Sequence, residues 1–225
     1  YKIGFCFAQI VLSGSSEAES NFICVGRDGR LSSEVLCNAL LQGIRATGAN
    51  VKYIGLVATP TLYFADKIFS SPGSIMVTGS HNPKDDNGFK MVKNNTPFFG
   101  LMIQDLKKQI EEFNWHNIEI KDNYVQDYID LKEQYIDRVL LNRKFSKNLK
   151  IAFDPANGAA GELTSILSRK LPCQTFIINK KIDGNFPAHD PDPTIPQNLD
   201  QLKNYVLENN CDVGIGFDGD ADRIG

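Results

Sequence analysis

The sequence predicts an α/β fold of two consecutive α/β domains, with mainly parallel sheets covered by helices. Short apolar runs of strand length alternate along the chain with segments of helical periodicity. The alternation stops at a polar, unpatterned stretch, residues 114–123, and then restarts. A length of 225 residues suits one large domain or two ordinary ones. We therefore predict a first domain at residues 1–123 and a second at residues 124–225.

Apolar runs bounded by turn residues predict three strands and a short fourth in the first half. They cover residues 21–25, 51–57, 74–78 and 89–92. Apolar residues at the spacing of one helix face predict three helices. These cover residues 32–46, 59–69 and 101–113. Thr59 is the expected cap of the middle helix, with Pro60 at its first helical position. Residues 1–12 are apolar but lack a basic leader and a starting Met, which favours a buried helix over a signal-peptide core.

The strand–helix rhythm continues in the second half. Helices are predicted at residues 127–140, 159–170 and 199–208. Strands are predicted at residues 149–153, 174–178 and 212–217. A proline-rich stretch at residues 183–196 is expected to be extended. Because strands joined through helices run parallel, functional groups are expected in the loops at the carboxyl ends of the strands.

Composition and charge exclude some classes of function. The chain is 42% hydrophobic and 23% charged, as in ordinary globular proteins. Its net charge of -3 and the absence of a dense Lys/Arg run argue against a nucleic-acid partner. No apolar stretch reaches the ~20 residues of a membrane helix, so no membrane partner is expected. The five cysteines form no C-x-x-C pair, which predicts buried free thiols and a cytoplasmic location.

Residues 78–83 (TGSHNP) directly follow an apolar run and present a hydroxyl beside an imidazole. The segment is not a hydrolase elbow, because Asn82 replaces the second glycine of G-x-S-x-G. A Ser80–His81 dyad is disfavoured, since neighbouring side chains on an extended loop point apart. Lys90 could fold back onto Ser80, although proton transfer by this amine would require a lowered pKa. The alternative is an ordinary turn with local hydrogen bonds and an exposed lysine.

Residues 218–223 (DGDADR) follow another apolar run and place three aspartates at alternate positions. On an extended loop this spacing puts the carboxylates of Asp218, Asp220 and Asp222 on one side. Three carboxylates suit a hard divalent cation such as Mg²⁺. A calcium EF-hand is disfavoured, because Arg223 stands where the loop needs glycine. A solvated acidic turn is the remaining alternative, and it would leave the three charges repelling one another.

Two further loops follow predicted strands. In residues 26–30 (GRDGR), Arg27 could hold a phosphate, or it could pair with Asp28 to support the next loop. We favour the structural pair on the residues alone. Residues 154–158 (DPANG) open a helix and could bind an anion there. A turn and helix cap formed by Asn157 and Gly158 is the simpler interpretation.

Taken together, these segments resemble the α-D-phosphohexomutase family, most closely its bacterial phosphomannomutase/phosphoglucomutase members. The matching segments occur in family order along almost the whole chain. They are residues 26–30, 78–83, 87–90 (NGFK), 154–161, 183–187 (DGNFP) and 218–223. The serine loop combined with the aspartate loop makes the resemblance specific.

The resemblance implies a set of roles. Ser80 would carry a phosphoryl group, Lys90 would act as general acid or base, and His81 would help to hold the substrate hydroxyl. Mg²⁺ would be bound by Ser80 together with Asp218, Asp220 and Asp222. Arg223, Arg27 and Asn82 would hold substrate or phosphate. The substrate would be a hexose 1- or 6-phosphate, with a hexose 1,6-bisphosphate as intermediate and activator.

Family members have four domains, and this chain resembles only the first and most of the second. The sugar-recognition loop of the third domain and the phosphate-gripping loop of the fourth have no counterpart here. The chain is therefore expected to be an inactive piece of a longer protein. Two rival hypotheses stay open: a metal-dependent phosphatase that uses the aspartate loop, and a non-catalytic folded relic or binding module. The sequence does not indicate which sugar is preferred or what the oligomeric state is.

Overall fold

The first half of the chain is built on a six-stranded sheet with the order β5-β4-β3-β1-β2-β6. The computed structural model describes residues 1–13, 21–116, 118, 124–144 and 149–225. The strands are β1 (Phe22–Arg27), β2 (Asn50–Leu56), β3 (Gly73–Val77), β4 (Phe89–Lys93), β5 (Thr96–Pro97) and β6 (Gln126–Tyr128). Strands β1, β2, β3 and β6 run parallel, while β4 and β5 are antiparallel to their neighbours. The sheet is therefore mainly parallel, as predicted.

Helices cover both faces of this sheet. They are α1 (Lys2–Leu12), α2 (Leu31–Arg45), α3 (Thr59–Ile68) and α4 (Leu101–Glu112). Successive residues of β1 point to opposite faces: Ile23 packs in the core with α1, α2 and α4, whereas Cys24 packs in the core with α3. Because both faces of the sheet are covered, β1 and β3 are buried along almost their whole length and do not alternate between buried and exposed residues.

The second half forms a three-stranded parallel sheet with the order β8-β7-β9. Its strands are β7 (Lys150–Asp154), β8 (Gln174–Ile177) and β9 (Val213–Gly216). Its helices are α5 (Lys132–Leu140), α6 (Ala160–Lys170) and α7 (Asp200–Glu208), the last preceded by a short 3-10 turn at Pro196–Leu199. The predicted strand–helix alternation is confirmed. Residues 183–196 contain turns and bends, with φ 49° at Phe186, so the expectation that this stretch is extended is wrong.

The helix predicted at residues 127–140 is wrong in its first turn. Residues Gln126–Tyr128 form strand β6 instead, and α5 begins only at Lys132. The open edge of β2 takes up these residues, and the ring of Tyr128 packs over Gly55, whose φ is +83°. Asp130 then accepts the backbone N–H of Lys132, which starts the helix. Strand β6 thus adds to the first sheet although it follows the predicted boundary, and residues 117 and 119–123 of the predicted linker lie outside the described residues.

The predicted free thiols agree with the structure: all five cysteines are free, and Cys6, Cys24 and Cys37 are buried. Burial raises the pKa of the Cys24 thiol to about 12. Within the ranges that the structure describes, no helix is both long and apolar enough to cross a membrane. The cytoplasmic location stays a prediction.

Candidate active site

Ser80 lies in the loop between β3 and β4, at the carboxyl end of β3. It is only 8% exposed and adopts a left-handed backbone conformation with φ 52°. Its backbone N–H donates to the Thr78 hydroxyl (2.8 Å), which in turn donates to the buried Asp28 carboxylate (2.8 Å). The backbone conformation of Ser80 is therefore fixed by two successive buried hydrogen bonds that end at Asp28.

The Ser80 hydroxyl meets the aspartate loop of the second half. It donates to Asp218 Oδ2 (3.0 Å) and accepts from Arg223 Nη2 (2.6 Å). The same Arg223 nitrogen also lies within hydrogen-bond distance of His81 Nδ1. The expectation that the side chains of Ser80 and His81 point apart is wrong, because Ser80 is left-handed rather than extended.

The three aspartates after β9 lie together, as their spacing predicts. One oxygen from each of Asp218, Asp220 and Asp222 lies within 4.8 Å of the others. The loop is a turn rather than an extended segment: Ala221 has φ 59°, and its N–H donates to the carbonyl of Asp218 (3.1 Å). The side chains of Asp218 and Asp220 are fully buried, whereas that of Asp222 is partly exposed.

Lys90 folds back onto both loops. Its Nζ lies 2.6 Å from Asp220 Oδ2, 2.6 Å from Asp222 Oδ2 and 3.5 Å from Ser80 Oγ. Burial lowers the pKa of Lys90, but attraction to the two carboxylates outweighs it, so the pKa is raised above its usual value. The condition of a lowered pKa, stated above for proton transfer by Lys90, is therefore not met, because the two carboxylates raise the pKa of the amine.

The carboxylates fit a hard divalent cation. Burial, reinforced by repulsion from Asp220, raises the pKa of Asp218 to about 7. Burial also opposes ionisation of Asp220, but the Lys90 ammonium lowers its pKa overall. Among the described residues, Asp220 Oδ1 is buried without a hydrogen-bond partner. In the part of the chain that the structure describes, the cations paired with the three carboxylates are Lys90 and Arg223, so a metal cation bound here would relieve the remaining repulsion and satisfy the unpaired oxygen.

Thr59 does not cap α3, contrary to expectation. Ala58 occupies the cap position, and Pro60 follows Thr59 in the first turn of the helix. The Thr59 hydroxyl instead donates to Asp220 Oδ2 (2.5 Å), and its N–H donates to the Asp220 carbonyl (2.9 Å). The fully buried Thr59 thus ties a helix of the first half to the aspartate loop.

Within the described ranges, the side chains of Arg27 and Asn82 form no hydrogen bond or ion pair with this cluster. Arg27 forms an ion pair with Glu34 (3.3 Å) and donates to the backbone carbonyl of Asp28 (3.2 Å), so the favoured Arg27–Asp28 contact is present, through the backbone and not as an ion pair. Arg30 pairs with Asp28 instead (3.3 Å). Asn82 is exposed, and within the described ranges its side chain makes no hydrogen bond. Phosphate or substrate binding by Arg27 and Asn82 stays a prediction.

Four residues around the site were not predicted from the sequence to contribute to it. Asp28, Arg30 and Thr78 support the serine loop, and Thr59 binds Asp220. The first three stand inside the quoted motifs, which is the only signal the sequence offers. Asp28 accepts from Thr78, from the Ser33 hydroxyl and from the backbone N–H of Arg30. It is fully buried, so it is a structural anchor for the serine loop.

The loop at residues 154–158 supports the site from the second half. It is a turn, as predicted, with φ 48° at Ala156 and 56° at Asn157. It does not cap α6, because Ala159 is the cap residue and Asn157 donates to the Lys181 carbonyl. A Cβ at Gly158 would lie 2.7 Å from the carbonyl oxygen of Gly219, so the turn packs directly against the aspartate loop.

The chain is similar in sequence to known proteins over most of its length. Residues 1–116 match the family description "Phosphoglucomutase/phosphomannomutase, alpha/beta/alpha domain I", and residues 126–225 match domain II of the same family. A phosphomannomutase/phosphoglucomutase of Pseudomonas putida is 38% identical over 203 residues, which is 90% of this chain and 43% of the relative. A phosphoglucomutase of Neisseria meningitidis is 34% identical over 221 residues, 98% of this chain and 48% of the relative.

A solved structure shows the same fold. The crystal structure of a phosphoglucomutase/phosphomannomutase family protein from Burkholderia thailandensis matches with a TM-score of 0.89 and 37% identity, covering 100% of this chain and 49% of that protein. The chain therefore spans about half the length of the relatives it matches.

Proposed function

The chain belongs to the phosphoglucomutase/phosphomannomutase family, and from this premise we propose that it serves phosphoryl transfer between the 1- and 6-positions of a hexose phosphate. In this proposal Ser80 carries the phosphoryl group and the aspartate loop holds Mg²⁺. A hexose 1,6-bisphosphate is both the intermediate and the activator. The names of the relatives support mannose or glucose phosphate as substrate.

The observation that carries the proposal is the surroundings of the Ser80 hydroxyl. Its oxygen contacts Asp218 (3.0 Å) and Arg223 (2.6 Å) and lies 3.5 Å from the Lys90 ammonium. A phosphoryl group on this oxygen would therefore stand beside two cations and beside the carboxylates that fit a metal. Phosphoryl transfer depends on positioning and on neutralising oxygen charge, and this site supplies both.

Each side chain has a role in the transfer. The P–O bond to Ser80 breaks as the sugar hydroxyl oxygen forms its bond to phosphorus, while Arg223 neutralises the phosphoryl oxygens. Lys90 is held protonated and can donate a proton to the departing Ser80 oxygen; the neutral amine then accepts the proton of the sugar hydroxyl. His81 helps to orient that hydroxyl. Mg²⁺, held by the three aspartates and Ser80, would supply further positive charge to the phosphoryl group.

The geometry favours Ser80 over Asp218 as the phosphate acceptor, which speaks against the phosphatase alternative. Asp218 is fully buried. Its Oδ1 accepts the backbone N–H groups of Asp222 (3.0 Å) and Arg223 (3.1 Å), and its Oδ2 accepts from Ser80. Both oxygens thus already accept hydrogen bonds, whereas the Ser80 oxygen lies next to two cations.

Loading of Ser80 tests the proposal. The purified chain is incubated with Mg²⁺ and glucose 1,6-bisphosphate, and its intact mass is followed with peptide mapping. We expect one phosphoryl group on Ser80, none in Ser80→Ala, and normal loading in the control Ser165→Ala, whose hydroxyl donates to the Gly161 carbonyl of its own helix α6. Phosphate on an aspartate, or no phosphate even in a longer version of the protein, would refute the proposal.

Turnover is a separate question. We expect these 225 residues alone not to interconvert hexose phosphates, because they span about half the length of the relatives. A coupled assay for glucose 6-phosphate formed from glucose 1-phosphate measures this. Isomerisation by the chain alone would contradict the expectation without affecting the role of Ser80.

A further inference from the structure

The largest fully buried side chain in the described part of the molecule is that of Arg30, at the N-terminus of α2. Its charge is compensated by Asp28, whose Oδ2 lies 3.3 Å from Arg30 Nε in an ion pair without hydrogen-bond geometry. A buried guanidinium is costly unless its N–H groups are satisfied. The N–H groups on the two terminal nitrogens of Arg30 are satisfied by backbone carbonyls.

Both terminal nitrogens of Arg30 bind backbone carbonyls of one short segment, the loop that carries Ser80. The four distances are 2.6 Å from Nη1 to Pro83 O, 3.1 Å from Nη1 to Asp86 O, 2.8 Å from Nη2 to Ser80 O and 2.8 Å from Nη2 to Asn82 O. The loop is therefore wrapped around the planar fork of a single guanidinium. A lysine could not reproduce this, since its one nitrogen cannot reach four diverging acceptors.

The hydrogen bond from Arg30 to the Ser80 carbonyl also orients the peptide group between Ser80 and His81. In a trans peptide the N–H points opposite to the C=O, and the structure has no cis peptide in its described residues. The Ser80 carbonyl faces Arg30, so the N–H of His81 faces away from the guanidinium. No described residue accepts from this N–H. It is thus left free beside the serine to donate to a phosphoryl group.

The second half of the chain closes over the same guanidinium. The ring of Phe186 lies 5.2 Å from Arg30 Cζ in a cation–π contact and is itself buried. The loop of Phe186 approaches closely: a Cβ at Gly184 would lie 2.6 Å from the carbonyl oxygen of Gly29. Arg30 is therefore held between the anchor Asp28, the serine loop and the second half.

We propose that Arg30 is a positioning residue for phosphoryl transfer: it sets the conformation of the Ser80 loop, and the Phe186 ring fixes it there. The proposal rests on the proposed role of Ser80. It predicts that Arg30 controls how readily Ser80 accepts phosphate and how rigid residues 80–87 are, without contributing to metal binding by the aspartates.

The test compares Arg30→Lys with the control Arg45→Lys, whose guanidinium binds a single carbonyl on α2. Amide hydrogen exchange of residues 81–87 should accelerate about tenfold or more in Arg30→Lys, the effect of losing even one hydrogen bond to a charged group. Loading of Ser80 from glucose 1,6-bisphosphate should slow by a similar factor. Mg²⁺ affinity measured by calorimetry should stay within about threefold. Unchanged loop exchange and loading in Arg30→Lys would overturn the proposal.

A second measurement uses the unaltered protein, in case Arg30→Lys fails to fold. In NMR spectra of the ¹⁵N-labelled chain, the four Nη–H bonds to carbonyls should give separate, slowly exchanging Arg30 resonances, assigned against Phe186→Leu. Rapidly exchanging, averaged resonances in the unaltered chain would refute the clamp. Neither the amide exchange nor this experiment depends on Ser80 being phosphorylated, so failure of the proposed function and failure of the Arg30 proposal are distinguishable.

Discussion

Replacement of Thr59 by valine tests how the two halves are joined at the aspartate loop. The change removes the hydroxyl that donates to Asp220 Oδ2 (2.5 Å) and keeps the size of the side chain. Asp220 is fully buried and its Oδ1 already lacks a partner among the described residues, so the lost donor cannot be replaced by solvent. A hydrogen bond to a charged group contributes about 1.5–3 kcal/mol, and the free energy of unfolding should fall by that amount.

The assay is urea denaturation of the metal-free chain in EDTA, with thermal unfolding alongside. For a chain of this length, the loss corresponds to a fall in melting temperature of about 3 to 12 °C. Thr61→Val is the matched control, because Thr61 is equally buried on the same helix and its hydroxyl has no hydrogen-bond partner in the described ranges. That change should be neutral or stabilising. Equal stability of Thr59→Val and Thr61→Val would refute the reasoning.

Three further predictions follow from the site and its surroundings. Mg²⁺ at a hundredfold excess over its dissociation constant should raise the free energy of unfolding by about 2.7 kcal/mol. Asp222→Asn removes a partly exposed candidate ligand and should abolish most of this gain, and an undiminished gain would contradict the metal site. His189 donates to the buried Asp154, and this hydrogen bond raises the pKa of His189 above 6.5. The His189–Asp154 pair therefore contributes fully to the free energy of unfolding below pH 6.5, and this contribution is lost as the pH rises through the raised pKa. Urea denaturation of the protein and of His189→Gln should therefore differ most at low pH, and a pH-independent difference would refute this. A Cβ at Gly219 would collide with the carbonyl oxygen of the candidate serine, so Gly219→Ala should cost about 1–3 kcal/mol in denaturation and slow phosphate loading, whereas Gly88→Ala, with its nearest contact at 3.4 Å, should not.

Most of the fold could be predicted because its cause is local. Strands β1 and β3 consist mostly of apolar residues because both of their faces are covered, and the helices repeat apolar residues at helical spacing. The error at residues 126–128 has a different cause: their strand conformation comes from pairing with β2, about 75 residues earlier in the chain. No local pattern records such an edge pairing.

The same distinction applies to the candidate site. Asp218, Asp220 and Asp222 could be named from the sequence because three carboxylates at alternate positions after an apolar run would repel one another without a cation. Ser80 and Arg223 could be named from the resemblance of their loops to the family motifs. The structure then brought the two loops into contact through the Ser80–Asp218 hydrogen bond. It also reversed one inference, since the environment of an amine sets its pKa and the carboxylates around Lys90 come from the other half of the chain.

What the sequence by itself determined is therefore the fold class, the order of its elements and the identity of the chemical groups, because periodicity and residue type are local properties of the chain. Only the tertiary structure decided which groups those side chains face. Thr59 turned from a helix cap into a partner of Asp220, and Arg30 turned from one arginine of a motif into the buried centre of the serine loop. Each of these contacts spans 50 residues or more. The Thr59–Asp220 contact follows from packing the two halves together and the Arg30–Ser80 contact from the pairing of β1 with β3, and no local pattern encodes either.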